Sequence, residues 1–187
     1  MIKGGLVGTV IMDAQAMDRA LARIAREIVE EAGDVDDLAI VGIQRRGVQL
    51  AERIVEEIER TQGRAPAKGA MDITLYRDDL QAIGDQAIVQ KTVMPFKVEG
   101  KTIILVDDVL YTGRTVRAAL NEIMDFGRPR RVLLAVLVDR GHREIPIRAE
   151  FVGKNVPTSR NQQVKVKVEE LDGVREVELV ELDEDGF

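Results

Sequence analysis

Thr102-Ile103-Ile104-Leu105-Val106-Asp107-Asp108-Val109-Leu110-Tyr111-Thr112-Gly113-Arg114-Thr115 is the stretch on which the fold turns. Thr102 to Val106 is a short continuous apolar run, which reads as a strand buried on both faces in a parallel sheet. Two carboxylates stand at its C-terminal end, and a loop carrying one glycine and several hydroxyls follows. From about Arg114 to Phe126 the pattern predicts a helix, stopped by Gly127 and Pro129. Ligands of parallel sheets bind outside the carboxyl ends of the strands. A helix start offers free N–H groups and a partial positive charge, so it suits a phosphate.

Outward from this stretch the chain alternates strands and helices. Met17, Ala20, Leu21, Ile24, Ala25 and Ile28 recur at helical spacing, with Asp13 as N-cap and Gly33 as stop. Leu38 to Ile43 reads as a buried strand, and Val48, Ala51, Ile54, Val55 and Ile58 mark a helix ending near Gly63. Met71 to Tyr76 and Val132 to Val138 read as further strands. Residues 78 to 92 are polar and aperiodic, which predicts a long loop or hairpin of the kind that usually carries function. The fold class is α/β, a central mainly parallel sheet flanked by helices. Near the end, Val164, Val166 and Val168 alternate with lysines, and Val177 and Leu179 with glutamates. With Asp172-Gly173 as a two-residue turn, this predicts a small antiparallel C-terminal ribbon. Residues 1–187 form one domain in this reading, with the ribbon and an acidic tail over about 155–187.

Composition narrows the chemistry. The absence of cysteine excludes disulfides, thiolate metal sites and a cysteine nucleophile. A single histidine, His142, excludes a multi-histidine metal site. No apolar run is long enough to cross a bilayer and no signal peptide is legible, so a cytoplasmic location without membrane partners is expected. The net charge of −6 argues against generic nucleic-acid binding. It is unevenly spread: Arg140 to Arg160 is basic, whereas Glu169 to Asp185 holds Arg175 as its one cation.

Thr112 and Thr115 add hydroxyl donors to the helix start, and Gly113 lets the backbone come close to an anion. Two aspartates beside such a cradle would repel its phosphate unless a polyhydroxylated group lay between them. A ribose 5-phosphate meets both demands, its 2- and 3-hydroxyls donating to the carboxylates while the loop holds its phosphate. The strand, the acidic pair and the Thr-Gly-x-Thr loop resemble the 5-phosphoribosyl-1-diphosphate (PRPP) motif of type I phosphoribosyltransferases. Val41-Gly42-Ile43-Gln44-Arg45-Arg46-Gly47 resembles the loop that holds the diphosphate in these enzymes, often through a strained peptide. Asp72-Ile73-Thr74-Leu75-Tyr76-Arg77-Asp78-Asp79 is more particular, as are Val138 to Arg148 and Phe151 to Ser159. Together they resemble the PyrR family, pyrimidine operon regulators that are also uracil phosphoribosyltransferases. The resemblance runs over roughly residues 10 to 170 and is weak in the acidic tail.

The resemblance implies the type I phosphoribosyltransferase fold and transfer of the phosphoribosyl group of PRPP to uracil, giving UMP and diphosphate. Asp107 and Asp108 would meet the ribose hydroxyls. Val109, Leu110, Tyr111, Thr112, Gly113, Arg114 and Thr115 would hold the 5-phosphate, and Arg45 and Arg46 the diphosphate. Arg77, in the loop after Tyr76, would help exclude water. Asp139, Arg140, Phe151 and Val156 would form the base pocket. Magnesium would enter mainly through PRPP, without a dedicated protein site. The family also binds leader mRNA of pyrimidine genes under control of UMP or UTP; Arg26, Arg143, Arg148 and Lys154 match its basic surface. Ala22 and Glu31 depart from the polar or basic helix face that role would favour. A homodimer or homotetramer is implied. Two other readings stand beside this one: an RNA-binding UMP/UTP sensor with little catalysis, and a purine phosphoribosyltransferase, since the PRPP motif does not specify the base.

Overall fold

A computed structural model describes residues 8–74 and 91–182. The elements in chain order are β1 (Gly8–Met12), α1 (Ala14–Ala32), β2 (Leu38–Ile43), α2 (Arg46–Gln62), β3 (Ala67–Met71), β4 (Thr102–Leu110), α3 (Arg114–Phe126), β5 (Arg131–Asp139), β6 (Phe151–Asn155), β7 (Gln162–Lys167), α4 (Glu169–Asp172) and β8 (Glu176–Glu181). Five strands form a parallel sheet in the order β3-β2-β4-β5-β6.

Each central strand feeds two cores because successive side chains point to opposite faces. Ile40, Ile104, Val106, Ala135 and Leu137 meet α1 and α2 on one face. Ala39, Val41, Ile103, Leu105, Leu134 and Val136 meet α3 on the other. Ile24, Ile28, Ile54 and Ile58 are at most 1% exposed, and burying each is worth about 1.5–3 kcal/mol. Helix α1 begins at Asp13, whose carboxylate accepts the Ala16 N–H at 2.7 Å, and it ends at Gly33 as expected.

Three expectations need correction. The strand expected from Met71 to Tyr76 is Ala67–Met71, and Asp72 to Thr74 have left the ladder. Its residues are poor strand formers; pairing with all of Ala39 to Ile43 holds it. Leu75 and Tyr76, and residues 78–90 of the expected loop, lie outside the described residues. Asp172-Gly173 does not make a two-residue turn: α4 intervenes between β7 and β8, and left-handed Gly173 closes it with an N–H bond to the Glu169 carbonyl. Finally, the ribbon is a three-stranded antiparallel sheet, because β1 pairs with β8. Val164, Val166 and Val177 fasten it to the α1–α2 core. Arg140, just after β5, donates to the Gln162 carbonyl at 2.6 Å, so β7 starts beside the carboxyl end of β5. It ends near α2, where Arg46 reaches Asp172. The small sheet therefore spans the carboxyl edge of the large one.

Candidate active site

Two helices start at this edge, and neither has a side-chain cap. Helix α2 begins at Arg45 and α3 at Gly113, and both lack the carboxylate that α1 has. The nearest substitute is a long contact of 3.4 Å from the Arg114 N–H to the Thr112 hydroxyl oxygen. Open N–H groups and aligned dipoles make both starts receptive to anions.

The α3 start borders a cavity of about 340 Å3 whose walls include Asp107, Tyr111, Thr112, Gly113, Arg114, Thr115 and Glu144. Gly113 sits at φ 93°, a left-handed conformation that glycine adopts freely. Val109 and Leu110 also line this cavity, but Leu110 is 1% exposed and its side chain belongs to the α3 core. Leu110 can thus offer a ligand only its backbone. Arg114 donates to Glu144 at 2.7 Å, with both side chains about half exposed.

Asp107 is buried and its carboxylate accepts the Asp108 N–H at 2.9 Å. Burial, and then the neighbouring Asp108 charge, push its pKa well above the usual carboxylate range. Asp108 is half-buried, accepts the Val109 N–H at 2.8 Å, and is not among the walls of that cavity.

The diphosphate-like loop lies beside them. A β-carbon added to Gly47 would stand 2.5 Å from the Val106 carbonyl oxygen and 3.3 Å from Asp107 Cα. Only glycine lets α2 start this close to the acidic pair. The Gln44–Arg45 peptide is cis. Arg45 is exposed and has no ion-pair partner among the described residues. Arg46 is turned elsewhere, its Nε and Nη2 donating to the two carboxylate oxygens of Asp172 at 3.2 and 2.7 Å.

The residues assigned to the base divide. The Asp139 carbonyl accepts the Val156 N–H at 2.9 Å, and the Arg140 N–H donates to the Leu110 carbonyl at 3.1 Å. These bonds put Asp139, Arg140 and Val156 at the corner next to the loop before α3. The Arg140 side chain, though, is 6% exposed. It stacks 3.9 Å from the centre of the Tyr111 ring and donates to Thr158 Oγ1 and the Gln162 carbonyl. Its guanidinium is committed internally. Phe151 is 5% exposed within the α1 core, so it is a core aromatic and not a wall of the cleft.

The basic surface divides as well. Arg26 and Lys154 line one groove, together with Arg19 and Arg23. Sequence reading missed the last two, although Arg19, Arg23 and Arg26 stand at i, i+4 and i+7 on one helix face. Glu31, the expected weakness of that face, is paired with Arg131 at 2.8 Å. Arg143 is not a free surface cation. It pairs with Asp139 and donates to the carbonyls of Tyr111 at 2.7 Å and Ile147 at 3.0 Å, bracing the loop before α3. Arg148 is exposed, without a partner among the described residues. His142 has φ 62°, lies 2.6 Å from the Thr158 carbonyl through Nε2, and meets Tyr111 edge-on. Arg77 lies outside the described residues.

Among the described residues no three metal-ligating side chains gather. Two adjacent carboxylates suit a hard divalent cation that keeps its waters and takes oxygens from a bound phosphate. No described helix is long and apolar enough to cross a membrane.

Comparison with known proteins agrees with this geometry. The phosphoribosyl transferase domain family matches residues 9–171. A protein named bifunctional protein PyrR from Thermus aquaticus is 61% identical over 171 residues, covering 91% of this chain and 94% of its own. Its namesake from Pelotomaculum thermopropionicum is 54% identical at the same coverage. Among solved structures, a hypoxanthine phosphoribosyltransferase from Staphylococcus aureus aligns with TM-score 0.68 at 17% identity, over 100% of this chain and 98% of the other. One from Trypanosoma cruzi aligns with TM-score 0.70 at 13% identity, over 94% and 97%. Identities this low speak to the fold alone.

Proposed function

Because the chain belongs to the phosphoribosyltransferase family, we propose that it transfers the phosphoribosyl group of PRPP to uracil and also regulates pyrimidine genes through leader mRNA. One observation carries the enzymatic half. An uncapped helix start opens directly beyond Asp107 and Asp108, around a cavity of about 340 Å3.

A ring nitrogen of uracil forms a bond to C1 of the ribose as the C1–oxygen bond to diphosphate breaks. The electron pair leaves with diphosphate and the uracil proton is released. The transition state puts positive charge on the ribose, so positioning and electrostatics matter more than a covalent nucleophile. Asp107 and Asp108 accept from the ribose hydroxyls, and the Asp108 carboxylate offsets the charge developing on the sugar. Residues 109 to 115 cap the 5-phosphate with backbone N–H groups and threonine hydroxyls. Arg45 offers its free guanidinium to the diphosphate. Magnesium, held mainly through PRPP, would neutralise the diphosphate oxygens as the bond breaks. Uracil would be read at the corner of Asp139 and Val156 through backbone groups, and Arg77 would help shield the sugar from water.

For regulation, the supporting feature is the groove of Arg19, Arg23, Arg26 and Lys154, where cations can follow an RNA backbone and UMP or UTP in the PRPP site would set the affinity. We assign residues 1–187 to one domain, the assembly to a homodimer or homotetramer, and the location to the cytoplasm.

The test is to incubate the protein with PRPP and magnesium and with uracil, hypoxanthine or guanine in turn. UMP formation with uracil alone is expected. Product with a purine would favour the purine reading, and no product with any base would leave the sensor. Asp108→Asn should lower turnover at least about tenfold, or about 1.4 kcal/mol; full activity would remove its assigned role.

A further inference from the structure

The two arginines of the diphosphate loop face different ways, and the difference assigns a role to the small sheet. Arg45 is exposed and unpaired among the described residues, whereas Arg46 makes the bidentate contact with Asp172. The Asp172 side chain is 19% exposed and Arg46 35%, so solvent screens this pair less than an open surface pair. Asp172 is itself held, since its carboxylate also accepts the Val168 N–H at 2.8 Å. Its hydrogen bond with Arg46 keeps its pKa below the usual carboxylate range, so it is ionised at neutral pH. Two helical turns along α2, Arg53 reaches Glu170 of the same short helix at 2.8 Å. Thus α4 clasps the first turns of α2.

The clasp closes the third side of the loop. The Gln44 N–H donates to the Met71 carbonyl of β3 at 2.8 Å. Gly47 rests against Val106 of β4. Asp172 holds the remaining side through Arg46. We propose that Asp172 is a positioning residue for diphosphate binding: with Arg46 it fixes the start of α2 so that Arg45 and the loop N–H groups meet the anion, and Arg46 is not itself a diphosphate ligand. This rests on the PRPP reading of the site and deepens it. The small sheet becomes part of the binding apparatus without touching the ligand.

A double-mutant cycle tests this. Asp172→Asn, Arg46→Met and the double variant would be compared with wild type for KM of PRPP, KM of uracil, kcat and Tm, with magnesium diphosphate affinity measured by calorimetry. Each single variant is expected to raise the KM for PRPP and weaken diphosphate by about fivefold. Expected kcat and KM for uracil stay within about twofold, and the double variant is no worse than the singles, as for residues acting through one contact. Asp172→Glu should restore much of the loss. Arg45→Met should be the more damaging arginine change. Three results overturn the proposal: multiplicative losses in the double variant, unchanged diphosphate affinity in Asp172→Asn, or Tm losses with KM for PRPP intact. If the wild type binds neither PRPP nor diphosphate, the reading of the site falls and the clasp's role with it; binding with any of the three other results sinks the clasp alone.

Discussion

Gly47→Ala should damage PRPP use more than its distance from any reacting atom would indicate. The added β-carbon would sit 2.5 Å from the Val106 carbonyl oxygen and 3.3 Å from Asp107 Cα. Non-bonded contacts become favourable at about 3.5 Å, so relief needs roughly 1 Å of separation. Both opposing atoms are backbone in the centre of the sheet, and neither can rotate away. The movement must come from the start of α2, which carries Arg45 and the loop N–H groups. Overpacking of this kind costs about 1–3 kcal/mol, and for a chain of this size that is about 2–12 °C in Tm. A misplacement of about 1 Å in binding geometry costs up to about a hundredfold, so kcat/KM for PRPP should fall by about ten- to a hundredfold. Gly113→Ala is the informative contrast. Its β-carbon would have 3.5 Å of clearance, but φ is 93°, so its cost is conformational, about 1–2 kcal/mol. Thermal melts and PRPP-dependent UMP formation measure both. If Gly47→Ala kept its Tm within about 1 °C and its KM for PRPP within about twofold, the close approach would not be what sets the loop.

Further outcomes follow from other contacts. Glu122 is buried, its Oε1 accepts the Thr92 hydroxyl at 2.5 Å, and its Oε2 has no hydrogen-bond partner among the described residues. Burial first, and then the charges of Asp72 and Asp125, raise its pKa above the ordinary 4.5, against the Thr92 bond. A raised folded-state pKa costs stability as pH climbs from the unfolded value through the folded one. The Tm of Glu122→Gln relative to wild type should therefore rise between pH 4.5 and neutrality; a flat difference would refute the assignment. Arg26→Glu and Lys154→Glu should weaken binding to a structured pyrimidine-gene leader and flatten its salt dependence by about one unit each, with uracil turnover unchanged. Equal binding by both variants would move the RNA surface elsewhere. Arg140→Met would leave the Gln162 carbonyl and Thr158 hydroxyl without their cation, so unfolding should become easier by about 2–4 kcal/mol in denaturant titrations; a loss below about 0.5 kcal/mol would show the buried contacts to be weak.

Whether an element was legible in the sequence depended on where its determinants lie. Helix α3 was expected from Arg114 to Phe126 and occupies that span, because its apolar period and its stops are all local. Asp13 and Gly33 bound α1 for the same reason. Strand β3 was misplaced because Ala67, Lys68 and Gly69 carry no local strand signal; their ladder with β2 alone makes them a strand. Strand β1 escaped notice because its partner, β8, lies at the other end of the chain. The short helix α4 was read as a turn, since Asp172-Gly173 does form turns. In the structure the Asp172 N–H donates to the Val168 carbonyl, the Asp172 carboxylate accepts the Val168 N–H, and Arg46, 126 residues away, reaches the same carboxylate.

At the site, the same rule separates backbone from side chains. The acidic pair, the glycine and the helix start are contiguous, so their order could be read from fourteen residues in a row, and the structure sets Asp107 and the helix start on one cavity. The directions of Arg46, Arg140 and Arg143 could not, because each points to a partner chosen by the tertiary fold. Sequence reading sends Arg46 to the diphosphate, Arg140 to the base pocket and Arg143 to the RNA surface. In the folded chain all three spend donors on the protein. This division has a thermodynamic reason. An N-cap is worth about 1 kcal/mol, and α2 and α3 both forgo one where α1 does not. Without an anion, those starts keep open N–H groups and rely on other contacts to fix them. Arginines anchored to Asp172, Asp139 and the carbonyls around the loop supply that fixing. Arg46, Arg140 and Arg143 therefore hold the backbone around these helix starts through contacts that no local stretch of sequence reveals.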